Sequence, residues 1–446
     1  MEGSKESGVR QAYLKAPGEK RRPPTGLEAI FHLDEPGVPG LPLHHNLANL
    51  PHVAGGTGQA VQTLLLATMG VWAADKYFPR VQAADAWSRG ITLHLPTSPV
   101  CAPLLPRLAH ILHLLTGDAW TLVGRETSLD LGWGGRWTEP WEPDAVALFS
   151  GGLDSLAGAI DLLEKGQRLL LVSHHDFGQL AGQQQHLGRA LAGHYGPSRL
   201  QHLGLRVQFP ETRELSLRSR SLLYLSLGLA AVAGVGPDTP VIIPENGWIS
   251  LNPPLTGNRL GSLSTRTTHF AILAEITALW REAGLSTLLI NPYQSLSKGE
   301  ALAACANPGL LRQLAPLTLS CARPVVSRWR SEAAGHCGYC YPCLVRRAAL
   351  HRLGWDDPAA YRVDVLLDLD ISRDRTKGQD LRALLLALDT WQTAPQELTD
   401  RLWLGDDPAR IPERLAWARR LLQSGCTELG HWLRGQGGAG ISEYMD

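Results

Sequence analysis

The sequence predicts an α/β fold: a doubly wound parallel sheet with an N-terminal accessory domain and a helical C-terminal extension. Three observations carry this. An apolar run from Ala145 to Phe149, a Gly151-Gly152 turn, a helical stretch from Leu153 to Lys165 and a second apolar run from Leu169 to Ser173 make one strand–helix–strand unit, the building block of parallel sheets. Buried-strand patterns at Val241 to Ile243 and Thr287 to Ile290, with helical patterns at Ser221 to Val232 and Thr268 to Glu282, extend that unit over residues 144 to 352. The 446 residues exceed the usual size of one hydrophobic core, so two or three domains are expected.

Taken in order, residues 1 to 26 are polar and rich in Lys, Arg, Gly and Pro without periodicity, which reads as a flexible arm. Residues 27 to 140 carry short strand-like pieces such as Thr92 to Leu95 and a helical pattern from Leu104 to Leu115; they read as an accessory domain of open fold. Trp133-Gly-Gly-Arg-Trp137 and Pro140-Trp-Glu-Pro143 mark its end, because proline breaks helix and strand alike. Residues 355 to 446 read as helices with apolar faces, for example Leu381 to Leu388 and Arg414 to Leu422. There is no internal repeat.

Apolar residues make up 44% and charged residues 19%, an ordinary globular balance. Lys plus Arg equals Asp plus Glu at 42 each, so no global positive field exists to hold a nucleic acid. Lys5, Arg10, Lys15, Lys20, Arg21 and Arg22 interrupt any apolar signal core at the N-terminus. No apolar run reaches the about 18 residues a membrane helix needs, so a cytoplasmic location without membrane contact is expected.

Phe149-Ser-Gly-Gly-Leu-Asp-Ser155 lies between an apolar strand and a helix start. Glycines there lack the β-carbon that would block a phosphate, and exposed amides with the helix dipole attract anions. The hydroxyls of Ser150 and Ser155 can bond the same oxygens, with Gly151, Gly152 and Leu153 supplying amides. Asp154 is placed to cap the helix or to help hold Mg²⁺. Taken alone, the segment is equally a turn followed by an N-cap. No Gly-Lys-Ser/Thr follows, so it is not the kinase-type loop.

Three of the seven cysteines, in Cys337-Gly-Tyr-Cys340-Tyr-Pro-Cys343, have the spacing at which thiolates converge on one tetrahedral zinc ion. Cys321 is the leading fourth ligand and His336 the alternative. A closed four-thiolate site would be structural, pinning a loop rather than activating water.

The Ser150 to Ser155 segment resembles the S-G-G-x-D-S signature of the PP-loop ATP pyrophosphatases. Together with Ser320-Cys321, the cysteine cluster and Arg346, it resembles the QueC (7-cyano-7-deazaguanine synthase) family. Asn291 to Glu300 is similar to that family's P-L-x-x-L-[ST]-K-x-E segment, and Ser216 to Leu223 to its R-N-x-x-[FL] helix start. The likeness covers residues 145 to 352. The added flanking regions and the longer Cys321 to Cys337 spacer look more like the QueC-like proteins of anti-phage operons, QatC of the Qat system or the homologue of type IV CBASS.

The resemblance implies a fold like the adenine nucleotide α-hydrolases and ATP-dependent adenylation of a 7-deazaguanine carboxylate with release of pyrophosphate. It further implies transfer to a protein partner from the same operon, QatB-like or a CBASS component. The alternatives are nitrile formation in queuosine biosynthesis, a tRNA-modifying PP-loop enzyme, or a non-catalytic scaffold. ATP, Zn²⁺ and Mg²⁺ are the implied cofactors. In this frame Lys298 and Arg220 would meet phosphate charge beside Asp154, and Arg266, in Leu263-Ser-Thr-Arg266, would meet the substrate by a forked contact. Glu300 would serve Mg²⁺ or pair with Lys298. His174, with His175 and Asp176, follows the second strand, where open α/β sheets bind ligands.

Overall fold

The computed structural model describes residues 8–436 apart from 36, 53–54, 128, 130–140, 215, 217, 257–265, 325–333, 368–373 and 406. The expected boundary residues Trp133 to Trp137 and Pro140, and the tripeptide Leu263 to Thr265, lie outside the described residues.

The chain begins with β1 (Arg10–Lys15), β2 (Ala29–His32), β3 (Leu41–Pro42), β4 (His44–His45), α1 (Gly55–Tyr77), β5 (Gly90–Thr97), α2 (Leu105–Thr116) and β6 (Ala119–Glu126). Without β4, these strands form a five-stranded sheet in the order β3-β2-β1-β5-β6, parallel throughout. The accessory region is therefore itself α/β. The expected flexible arm over residues 1 to 26 is corrected here: β1 is the central strand of that sheet, with Ala12, Tyr13 and Leu14 fully buried. Only three apolar residues, bracketed by Arg10, Gln11 and Lys15, form it, too few for an alternating pattern to stand out. Helix α1 was also missed. It is apolar almost all round, as befits a helix buried on every side, so no amphipathic stripe betrays it.

The central region follows as β7 (Ala145–Leu148), α3 (Leu153–Glu164), β8 (Leu169–His175), α4 (Gly178–Tyr195), β9 (Leu200–Gln208), α5 (Arg220–Val235), β10 (Val241–Ile242), α6 (Gly247–Leu251), α7 (Phe270–Glu282), β11 (Leu289–Ile290), α8 (Lys298–Ala303), α9 (Pro308–Leu314) and α10 (Tyr341–Arg352). Its sheet runs β11-β10-β7-β8-β9-β4, and only the β4–β9 edge is antiparallel. Alternate strand residues enter different cores. Val146, Leu148, Leu170 and Val172 pack with α5, while Ala147, Phe149, Leu169 and Leu171 pack with α3 and α4. Burial on both faces is what near-continuous apolar strands predict. The strand order reverses between β7 and β10, the position where open α/β sheets leave a crevice at their carboxyl ends.

One core joins the two sheets, because α1 and α5 pack against each other between them. Beside it lies a buried charge network. Asp118 accepts two bonds from Arg80, both at 2.8 Å, and bonds of 2.6 and 3.1 Å from the Arg89 side chain. Asp75 accepts from Arg80 and Arg89 as well, and its Oδ2 takes both the backbone N–H (3.1 Å) and the hydroxyl (2.8 Å) of Ser219. This locks the N-terminus of α5 onto the first sheet. Burial pushes the Asp118 carboxyl up, but hydrogen bonds and charge from Arg89, then the charge of Arg80, hold it below the usual carboxylate range.

The C-terminal helices are α11 (Gln379–Thr393), α12 (Pro395–Asp400) and α13 (Ile411–Gln436). They share a core with α6, α10 and the clustered cysteines, centred on the buried Trp248 and Trp432.

Replacing Asp118 with alanine leaves the two buried guanidinium groups of Arg80 and Arg89 with Asp75 as their one carboxylate partner. We expect a loss of about 3–5 kcal/mol of unfolding free energy, read by urea denaturation; a change under about 1 kcal/mol would show that water or other groups rescue the arginines.

Candidate functional site

The turn between β7 and α3 is shaped by two glycines. Gly151 has φ +83°, a left-handed conformation that only glycine takes without strain, and Gly152 precedes the first turn of α3 in extended conformation. Ser150 is exposed; its hydroxyl accepts from the Gly152 amide at 3.3 Å and donates to Ser155 Oγ at 3.2 Å. Ser155 in turn donates to the Gly152 carbonyl at 2.9 Å. The Leu153 amide donates to Ser320 Oγ at 3.2 Å. Two glycines, three hydroxyls and the positive end of a twelve-residue helix thus meet at one turn, the composition of an anion cradle.

Asp154 is buried at the foot of this turn. Its Oδ2 accepts from Lys298 Nζ at 2.7 Å and from Asn246 Nδ2 at 2.8 Å. The Asn246 amide also reaches Glu245 Oε1 at 3.1 Å, so two carboxylates, an amide and an ammonium share one cluster. Burial pushes Asp154 up, but the Lys298 charge and hydrogen bonds from Glu245, Lys298 and Asn246 outweigh it and hold the carboxyl below its usual range. Burial, and then the negative charge of Asp154, push Glu245 well above its usual range. Two adjacent carboxyls of this kind offer the oxygen donors that a hard divalent cation takes.

Lys298 opens α8, where Ser297 and Glu300 form a capping box. From α13, Glu428 accepts from Ser297 Oγ at 2.8 Å and from the Gly299 amide at 3.0 Å. Gly299 allows that approach, since a β-carbon there would run into the Glu428 carboxylate.

The four sulfurs of Cys321, Cys337, Cys340 and Cys343 lie within 4.8 Å of one another. Cys321 and Cys340 are 3.8 Å apart and Cys337 and Cys343 3.9 Å. Tetrahedral zinc with bonds of about 2.3 Å needs sulfurs about 3.8 Å apart, so the cluster is able to hold a metal ion such as zinc. Amides of Ala322, Arg323, Cys337 and Cys340 donate to the sulfurs at 3.3–3.4 Å, which favours thiolates. Gly338, at φ +87°, turns the chain where a β-carbon would strike the Val363 carbonyl. His336, the alternative ligand, accepts instead from the Ser320 amide at 3.1 Å through Nε2.

Other expected residues fall elsewhere. Glu300 pairs with Arg420 at 3.2 Å and accepts from Ser424 at 2.6 Å, not with Lys298, because α13 supplies nearer partners. Arg220 lies where its charge acts on His174 and Asp176, across the carboxyl edge at β8. His174 is buried, donates from Nε2 to the Val207 carbonyl at 3.1 Å, and is pushed down to about 3 by burial and then by Arg220. Its Nδ1 is buried without a partner. Arg266 lies over the Trp403 ring at 5.0 Å beside Arg401 and Asn252. Glu245, Asn246 and Glu428 escaped the sequence reading; the one available signal was Pro244-Glu-Asn-Gly247, a helix start directly after a buried strand.

A cleft of about 560 Å³ opens beside Asn291, between α7 and the start of α13, lined among others by Phe270, Arg281, Arg414 and Trp417. Asn291 Oδ1 accepts from the backbone amide of Glu245 at 3.3 Å, which ties the cleft's edge to the segment that carries Glu245 and Asn246. No helix among the described residues is long and apolar enough to cross a membrane. No family model, curated protein or solved structure matches the chain.

Replacing Cys343 with serine is expected to remove stoichiometric metal, read by elemental analysis, and to lower the thermal midpoint. Because thiolates must lose protons to bind, metal affinity should fall as pH falls; affinity that does not change with pH would exclude thiolate ligation.

Proposed function

We propose that this chain activates a carboxylate with ATP, forming an adenylate and releasing pyrophosphate, as the PP-loop ATP pyrophosphatases do. In line with the QueC-like resemblance, the carboxylate is a 7-deazaguanine acid, and the activated acyl group passes to a protein partner from the same operon in anti-phage defence. The observation that carries the reading is the glycine turn of Ser150 to Ser155 at the strand-order reversal, with Lys298 buried against Asp154 at its foot.

In this reading the substrate carboxylate attacks the α-phosphorus and pyrophosphate leaves toward the amides of Gly151 to Ser155. Two of those amides are held by the Ser150 and Ser320 hydroxyls and would exchange these bonds for bonds to the leaving group, whose charge they stabilise. Asp154 and Glu245 are the residues that would hold Mg²⁺, which supplies charge neutralisation on the phosphates when bound. Lys298, at 2.7 Å from Asp154, is the residue that would offer positive charge to phosphate oxygens. Arg220 adds positive charge at the same edge. The cleft beside Asn291 is where the acid or its acceptor would sit: Arg281 and Arg414 offer charge, and Phe270 and Trp417 offer ring surface. Zinc at the four cysteines is structural, with no open coordination position.

AMP and pyrophosphate release should be measured with a 7-deazaguanine acid, with and without the neighbouring operon protein. Lys298→Met is expected to lower turnover about 100-fold with ATP binding largely retained. ATP bound without turnover in either condition would mean a scaffold rather than an enzyme.

A further inference from the structure

The segment Leu319-Ser320-Cys321 is fastened to two places at once. On the phosphate turn, the Leu319 amide donates to the Gly151 carbonyl at 2.9 Å, and Ser320 Oγ accepts from the Leu153 amide at 3.2 Å. Gln183 Nε2 donates to the Leu317 carbonyl at 2.6 Å and lies 3.5 Å from the Gly151 carbonyl, tying the same two strips together. On the cysteine cluster, Cys321 is itself one of the four sulfurs, the Cys343 thiol lies 3.9 Å from the Ser320 carbonyl, and the Ser320 amide donates to His336. Ser320 thus has its amide, carbonyl and hydroxyl all engaged, with only the hydroxyl pointing to the turn.

Where that hydroxyl sits is informative. A β-carbon on Gly152 would come within 3.3 Å of Ser150 Oγ and 3.4 Å of Ser320 Oγ. The two hydroxyls therefore crowd the same side of Gly152, and the absence of a side chain there lets both stand beside the helix amides. A hydroxyl that accepts from an amide still has its own proton to give. The hydroxyl of Ser320 occupies the Leu153 amide in the way a phosphate oxygen would. When an anion arrives, the amide can pass to the anion and the hydroxyl can donate to it.

We propose that Ser320 is a positioning and binding residue of the phosphate turn, delivered to it by the metal site, so that metal loading and affinity for a di- or triphosphate are coupled through this one side chain. The proposal rests on the phosphate-turn reading above. It involves no bond made or broken, only exchange of hydrogen bonds.

The test is binding of α,β-methylene ATP, which such an enzyme would bind without cleaving, by titration calorimetry on the full chain. Ser320→Ala should weaken binding about tenfold, as losing one or two bonds to a charged group does, with metal content and unliganded thermal midpoint kept. Ser320→Thr, which keeps the hydroxyl, should recover most of the loss. Removing the metal from wild-type protein should weaken binding by a similar factor and should add little in the Ser320→Ala background. Wild-type affinity in Ser320→Ala, while Ser150→Ala binds weakly, would overturn the role of Ser320 and leave the turn intact as a phosphate site. Equal weakening of wild type and Ser320→Ala on metal removal would overturn the coupling. If Ser150→Ala, Ser155→Ala and Ser320→Ala all bind like wild type, the phosphate-turn reading itself fails.

Discussion

The buried pair of Lys298 and Asp154 constrains everything around it. Removing a carboxylate and an ammonium from water costs several kcal/mol per ion, and their attraction offsets that only with good geometry and further hydrogen bonds. The protein supplies these from four directions. Asp154 comes from the first turn of α3, Asn246 from the end of β10, Lys298 from the start of α8, and Glu428 of α13 holds that start in place. A shift of α3 or α8 alone would leave a buried charge unpaired, and a shift of Asn246 would cost the carboxylate a hydrogen bond.

Two other buried polar assemblies frame it. The Asp75, Arg80, Arg89 and Asp118 network fixes the start of α5, and so the place of Arg220, from the side of the first sheet. The four cysteines fix the Ser320 segment from the opposite side of the chain. Both lie far in sequence from the turn they serve, and both use interactions whose strength depends on exclusion of water. The formal net charge of zero conceals this arrangement, because these charges are local and paired inside.

Much was legible beforehand. The strand–helix–strand unit, the glycine turn, and Cys321 as the fourth sulfur follow from local pattern: apolar runs, glycines at a strand end, and ligand spacing; the burial of Lys298 against Asp154 did not. What escaped did so for identifiable reasons. Strand β1 is too short to show alternation, α1 too uniformly apolar to show a stripe, and Glu300 looked like a partner for Lys298 only because the two are neighbours in sequence.

The amino-acid order by itself determined the parts that depend on residues within a few positions of each other: the turn chemistry of Ser150 to Ser155, the C-x-x-C-x-x-C spacing and the capping residues of α8. Only the tertiary structure decided which distant groups meet there, namely Glu245 and Asn246 beside Asp154, Glu428 under Lys298, and Ser320 on the Leu153 amide. The physical reason is that backbone geometry and spacing act locally, whereas a buried charge takes its partners from whatever element packing brings within hydrogen-bond reach, and no short-range pattern records that choice.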